Sequence, residues 1–133
     1  MGFTCEIEVE VEGGAEAERR GAARLMLAAE SADEDGAAQT EAGSTLRLRF
    51  KSVDGLPESE LSSLAAEFPG LAFTMRYLSL DGEFYGYAKA GAGGEAAESE
   101  DFGEGTREEL GRRFDGDGIA FVKDRYGAGP SRR

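Results

Sequence analysis

The residues of this chain with the most chemical potential are carboxylates. Glu6, Glu8, Glu10 and Glu12 occupy every second position ahead of Gly13, which in an extended strand puts them on one face about 6.8 Å apart. Such a row can present a line of negative charge to a basic surface, in the manner of a nucleic-acid backbone, or it can meet a matching row of cations inside the protein. Arg47, Arg49 and Lys51 form that matching row, and cross-strand pairing would neutralise the face. Duplex DNA carries one charge per ~1.7 Å of axis, so a single strand of this kind has about a quarter of that density and mimicry needs other acidic segments to join it. Both readings stay open on the sequence alone.

Tyr85 and Tyr87 form a second constellation. On one strand face with Lys89, and beside Arg76 of the preceding strand, they have the composition of an aromatic platform for single-stranded nucleic acid. They equally suit a protein contact, where Tyr and Arg are enriched. Other motifs carry less. Gly91-Ala92-Gly93-Gly94-Glu95-Ala96 has the letters of a dinucleotide loop, but Glu95, Glu98, Glu100 and Asp101 follow where a phosphate-binding helix belongs. The stretches from Asp33 and from Asp115 have Ala37 or Ile119 where a calcium loop needs an oxygen ligand, and alanine where it needs glycine. Ser44, Ser52, Ser59, Ser62 and Ser63 have no histidine to activate them. The expectation is no enzyme, no catalytic residue, no metal site and no cofactor.

Composition supports this. The chain has 133 residues, no His, no Trp and one Cys, which excludes a disulfide framework, a Cys/His zinc site and a histidine base. Cys5 lies in an apolar register and reads as a buried thiol. With 27 acids against 15 bases the net charge is −12, which opposes free nucleic acid and anionic membranes as partners. Residues 1–46 alone hold 11 acids and 3 bases. No run approaches the length of a membrane span or a secretory leader, so a cytoplasmic location is expected.

Several elements must position these residues. Phe3–Glu12 alternates as a strand with a buried and a wet face. Residues 15–30 carry a helical stripe at Ala22, Leu25, Met26 and Ala29, with Glu16 and Arg20 on the exposed side. Ser31–Ser44 is polar and aperiodic and reads as a connection. Thr45–Lys51 is a second strand. Asp54-Gly55 then reads as a turn, Pro57 as a helix start, and Leu61, Leu64, Ala65 and Phe68 as one helical face that Pro69-Gly70 ends. Leu71–Leu80 and Glu83–Ala90 flank Asp81-Gly82 as a hairpin, in a register that sets Ser79 opposite Phe84, Tyr77 opposite Gly86 and Met75 opposite Ala88. Residues 91–105 read as an acidic linker rich in Gly, Ala and Glu. Thr106 to Glu109 has capping-box spacing for a helix to Phe114. Asp115–Gly118 reads as a turn, Ile119–Val122 as a short strand and Gly127–Arg133 as a frayed tail.

The order is β-α-β-α-β-β plus an appendage, an α+β sandwich with two helices on one face. The opening Met1–Gly13 with Cys5, the block Leu64-Ala65-Ala66-Glu67-Phe68-Pro69-Gly70-Leu71-Ala72-Phe73-Thr74-Met75-Arg76-Tyr77, and Phe84-Tyr85-Gly86 resemble the YubB ferredoxin-like family, small proteins of uncharacterised function carried on plasmids, phages and genomic islands. This chain lacks that family's tryptophans, and Asp54-Gly55-Leu56-Pro57 stands where a Trp and Pro pair is expected. The resemblance implies a ferredoxin-like two-layer sandwich and a mobile-element origin, and supplies no catalytic residue.

The expected division is a ferredoxin-like domain over residues 1–90, a linker over 91–105 and a C-terminal appendage over 106–133. The expected function is an acidic protein-binding module that occupies a partner, for instance the basic cleft of a host nucleic-acid enzyme, through Glu6, Glu8, Glu10, Glu12, Arg76, Tyr85 and Tyr87. The alternative is a single-stranded nucleic-acid module using Tyr85 and Tyr87 on an open sheet face. Pairing with a second copy through an exposed edge strand also stays open.

Overall fold

Alternating apolar and polar residues force each strand to choose a buried side, and here the two sides find different covers. The computed structural model describes residues 4–29, 38–52, 58–92 and 94–126. In chain order the elements are β1 (Cys5–Glu12), α1 (Glu16–Ala29), β2 (Ala38–Ala42), β3 (Thr45–Ser52), α2 (Glu58–Glu67), β4 (Ala72–Ser79), β5 (Phe84–Gly91), β6 (Ala96–Asp101), α3 (Thr106–Phe114) and α4 (Gly118–Tyr126). The strands form one six-stranded sheet in the order β2-β3-β1-β4-β5-β6, antiparallel at every neighbouring pair. The protein is therefore an α+β fold.

The inner face holds the main core. Cys5, Ile7, Val9 and Val11 of β1, Leu46, Leu48 and Phe50 of β3, and Phe73, Met75 and Tyr77 of β4 pack beneath Ala22, Ala23 and Met26 of α1 and Leu61 and Leu64 of α2. These are the residues that the alternation and the helical stripes single out. Burial pushes the Cys5 thiol up from its ordinary value, as a sheltered core thiol requires. The β4–β5 register agrees with the expected one: Ser79, Tyr77 and Met75 face Phe84, Gly86 and Ala88. The loop, however, spans residues 80–83 rather than two residues. Glu83 sits at φ 58, with its carboxylate tied to Arg107 at 3.1 Å.

Four expectations are corrected. The connection before β3 contains β2, which hairpins onto β3 through Gly43 and Ser44. The stretch expected as a linker contains β6, which pairs with β5 along its whole length. Strand pairing needs backbone groups more than apolar side chains, so an edge strand with six exposed residues leaves no hydrophobic signature. Ile119–Val122 is helical, part of α4, because Asp117 accepts a hydrogen bond from the Ala120 backbone N–H at 3.1 Å and so caps the turn that a strand reading requires to be extended. Thr106 opens α3 but does not cap it: Gly105 holds the cap position, and the Thr106 hydroxyl accepts the Gly103 N–H instead. The expected turn at Asp54-Gly55, Pro57, the Asp33 stretch, Gly93 and the tail from Gly127 lie outside the described residues.

The largest departure concerns the outer face, expected to stand open. α3 and α4 lie across it. Leu78, Tyr85, Leu110, Phe121 and Val122 form a second core, with Phe102, Phe114 and Tyr126 packed against it. Among the described residues no helix is long and apolar enough to cross a membrane.

Candidate functional site

The register of the sheet sets its outer side chains in rows. One row runs Arg49, Glu8, Arg76, Tyr87, Glu98 from β3 to β6, and the next runs Lys51, Glu6, Leu78, Tyr85, Glu100. The glutamate ladder thus lies between the cations of β3 on one side and Arg76 of β4 on the other.

Glu8 is 1% exposed and Arg76 3%. Glu8 Oε2 accepts from Arg49 Nε at 2.9 Å, and its Oε1 lies 3.1 Å from Lys123 Nζ of α4 and 3.5 Å from Arg76 Nη1. Glu10 accepts from Arg47 Nε at 2.7 Å and from Arg76 Nη1 at 2.9 Å. Burial pushes the Glu10 carboxyl up, but the hydrogen bonds and charges of Arg76 and Arg47 outweigh it and hold the group below its ordinary value. Glu12 is exposed and accepts from the Thr45 hydroxyl at 3.3 Å, and Glu6 is half-buried. The two middle members of the ladder, Glu8 and Glu10, are neutralised by cations and lie inside the protein.

The tyrosines are also engaged. Tyr85, 3% exposed, meets the Phe121 ring edge to face at 5.1 Å between centroids and donates its hydroxyl to Glu100 at 2.7 Å. Tyr87, half-buried, packs against Tyr126 at 4.9 Å and donates to Glu98 at 3.1 Å. Tyr126 donates to the other oxygen of Glu100. Burial raises the pKa of each of the three phenols, and the carboxylates of Glu98 and Glu100 add to it. An aromatic platform open to bases is therefore not what this face presents, since α4 occupies the stacking positions. Of the residues expected to meet a partner, Glu8, Glu10, Arg76 and Tyr85 are brought together and buried. Glu6, Glu12 and Tyr87 keep some contact with water.

The exposed charge lies elsewhere. The network around Glu8 and Glu10 holds two acids and four bases, of which Arg47 and Arg49 reach water, a net of +2, so the rest of the chain carries −14 against the overall −12. No Lys or Arg occurs between Lys51 and Arg76 or between Lys89 and Arg107. Those two stretches supply α2 and β6, and between them runs a groove of about 360 Å³. Ala88, Ala90, Ala96 and Ala97 line it, with Leu61 and Ser62 on the α2 side, and Glu58, Glu95 and one cation, Lys89, complete the lining. Glu98, Glu100 and Asp101 continue the acidic line along β6, all exposed. Sequence reasoning treated Glu95, Glu98 and Glu100 only as groups that repel phosphate. The signal available was the long interval without a base.

Among the described residues no group of three or more Cys, Asp or Glu side chains is placed to hold a metal ion. No family model, characterised protein or solved structure matches the chain.

Proposed function

We propose that this protein is a non-catalytic, acidic protein-binding module of mobile-element type, built on a ferredoxin-like core and acting on a basic protein surface. A nucleic-acid-processing enzyme whose cleft it blocks is the concrete candidate. The fold part of the reading rests on β1 to β4. Their succession is β-α-β-β-α-β, with β3 inserted between the parallel pair β1 and β2, and β1 inserted between the parallel pair β3 and β4. Those are two interlocked split β-α-β units, to which β5 and β6 add an extension. The mobile-element part rests on the resemblance of the Leu64–Tyr77 block.

The observation that carries the binding reading is the acidity around β6: a groove between α2 and β6, floored by alanines, has Glu58 and Glu95 among its lining, and Glu98, Glu100 and Asp101 stand exposed along the same strand. Small floor residues let a partner approach closely, and the surrounding charge selects a cationic one. Buried carboxylates suited to acid–base work do not support an enzyme here, because Glu8 and Glu10 are ion-paired with Arg47, Arg49, Arg76 and Lys123. The test is affinity capture from host lysate with wild type and with the triple variant Glu95→Gln, Glu98→Gln, Glu100→Gln, at low salt and at about 0.5 M salt. The expected result is a basic protein retained by wild type and lost both in the variant and at high salt. Identical sets of retained proteins from the two baits would contradict the reading.

A further inference from the structure

β6 ends the sheet with an open edge. Among the described residues no strand pairs with its side away from β5, and all six of its residues are exposed. An edge of this kind offers a row of free backbone donors and acceptors. Its side chains alternate between two environments: Glu98 and Glu100 lie on the face of Tyr87 and Tyr85, while Ala97 and Ser99 lie on the face of Ala88 and Gly86, beside the groove.

The charge chooses among occupants. A second copy pairing edge to edge would bring Glu98, Glu100 and Asp101 of both chains together, and like charges across a ladder are destabilising. Nucleic acid is opposed by the same carboxylates. A cationic strand meets neither penalty.

We propose that the open edge of β6 takes a basic extended peptide segment of a partner protein as a seventh strand. Side chains of that segment recur on one face every ~6.8 Å, the repeat of Glu98 and Glu100, so alternate Arg or Lys residues meet those carboxylates. The intervening side chains turn to the groove face, where long aliphatic stems lie on Ala97 and Ala88 and cationic heads reach Glu58 and Glu95. Backbone pairing supplies affinity and the carboxylates supply selectivity. The inference rests on the acidic-module reading above and adds to it the form of the ligand.

The experiment uses the full chain and two fluorescein-labelled ten-residue peptides of alternating Arg and Thr, one unmodified and one N-methylated through its central six residues. They carry the same charge, and only the first can pair as a strand. At about 50 mM salt the unmodified peptide is expected to bind about tenfold tighter or better, and to slow amide exchange in β6. The Glu98→Gln, Glu100→Gln variant is expected to weaken it several-fold. Equal affinity of the two peptides, or binding without protection of β6, overturns strand addition and leaves the acidic-surface reading standing. Absence of binding by either peptide overturns both.

Discussion

Glu8 and Arg76 show how a solvent-facing pattern becomes an interior one. The alternation of glutamates and the matching cations of β3 were legible, because both follow from the period of a strand. The third and fourth partners were not: Arg76 reaches Glu8 and Glu10 from β4, on the other side of β1, and Lys123 reaches Glu8 from α4, 115 residues away. Removing the cation shared by two buried carboxylates leaves charge uncompensated, so Arg76→Ala is expected to cost about 3–5 kcal/mol in urea unfolding. Acid acts on the same network. Since the folded-state pKa of Glu10 lies below its unfolded value, its contribution is complete above about 4.5, the ordinary value for that group, and is lost as pH falls through the lower folded value. Urea midpoints measured between pH 7 and pH 3 are expected to fall through this window, and the Glu10→Gln variant to fall less steeply there.

At the scale of elements, what could be read depended on side-chain burial. β1, β3, β4 and β5, α1 and α2 each bury an apolar face and were all visible. β2 and β6 lie at the two edges of the sheet; Gln39, Thr40 and Ala42 and all of β6 are exposed, so these strands are held by backbone pairing that composition does not record. α4 was hidden by brevity, as four apolar residues in a row fit either period and only the cap at Asp117 decides. The place of β6 makes a prediction at Gly86. A side chain there would run into the Tyr77 ring and the Glu98 backbone carbonyl. Gly86→Ala is expected to destabilise by about 1–3 kcal/mol and to speed amide exchange in β6 before the rest of the sheet. The helical cover makes another. Phe121 is 1% exposed and touches both Tyr85 and Phe114, so Phe121→Ala is expected to cost about 3–5 kcal/mol. In the absence of tryptophan, tyrosine fluorescence would report the loosening around Tyr85 directly.

The molecule as a whole separates its charge. Bases concentrate on the outer face around Glu8 and Glu10, where they neutralise them, while α2 and β6 carry acids and no base. An overall charge of −12 pointed toward a cationic partner, but the ladder that drew the eye in the sequence is not the surface that carries the excess. The most direct measurement is therefore a comparison of two charge-neutralised variants in binding the unmodified Arg-Thr peptide at low salt. Glu95→Gln, Glu98→Gln, Glu100→Gln is expected to weaken binding about tenfold, as the loss of two exposed ion pairs and a third nearby carboxylate would. Glu6→Gln, Glu12→Gln, which removes the two ladder carboxylates that still reach water, is expected to stay within about twofold of wild type. A larger loss in the ladder variant than in the β6 variant would contradict the account.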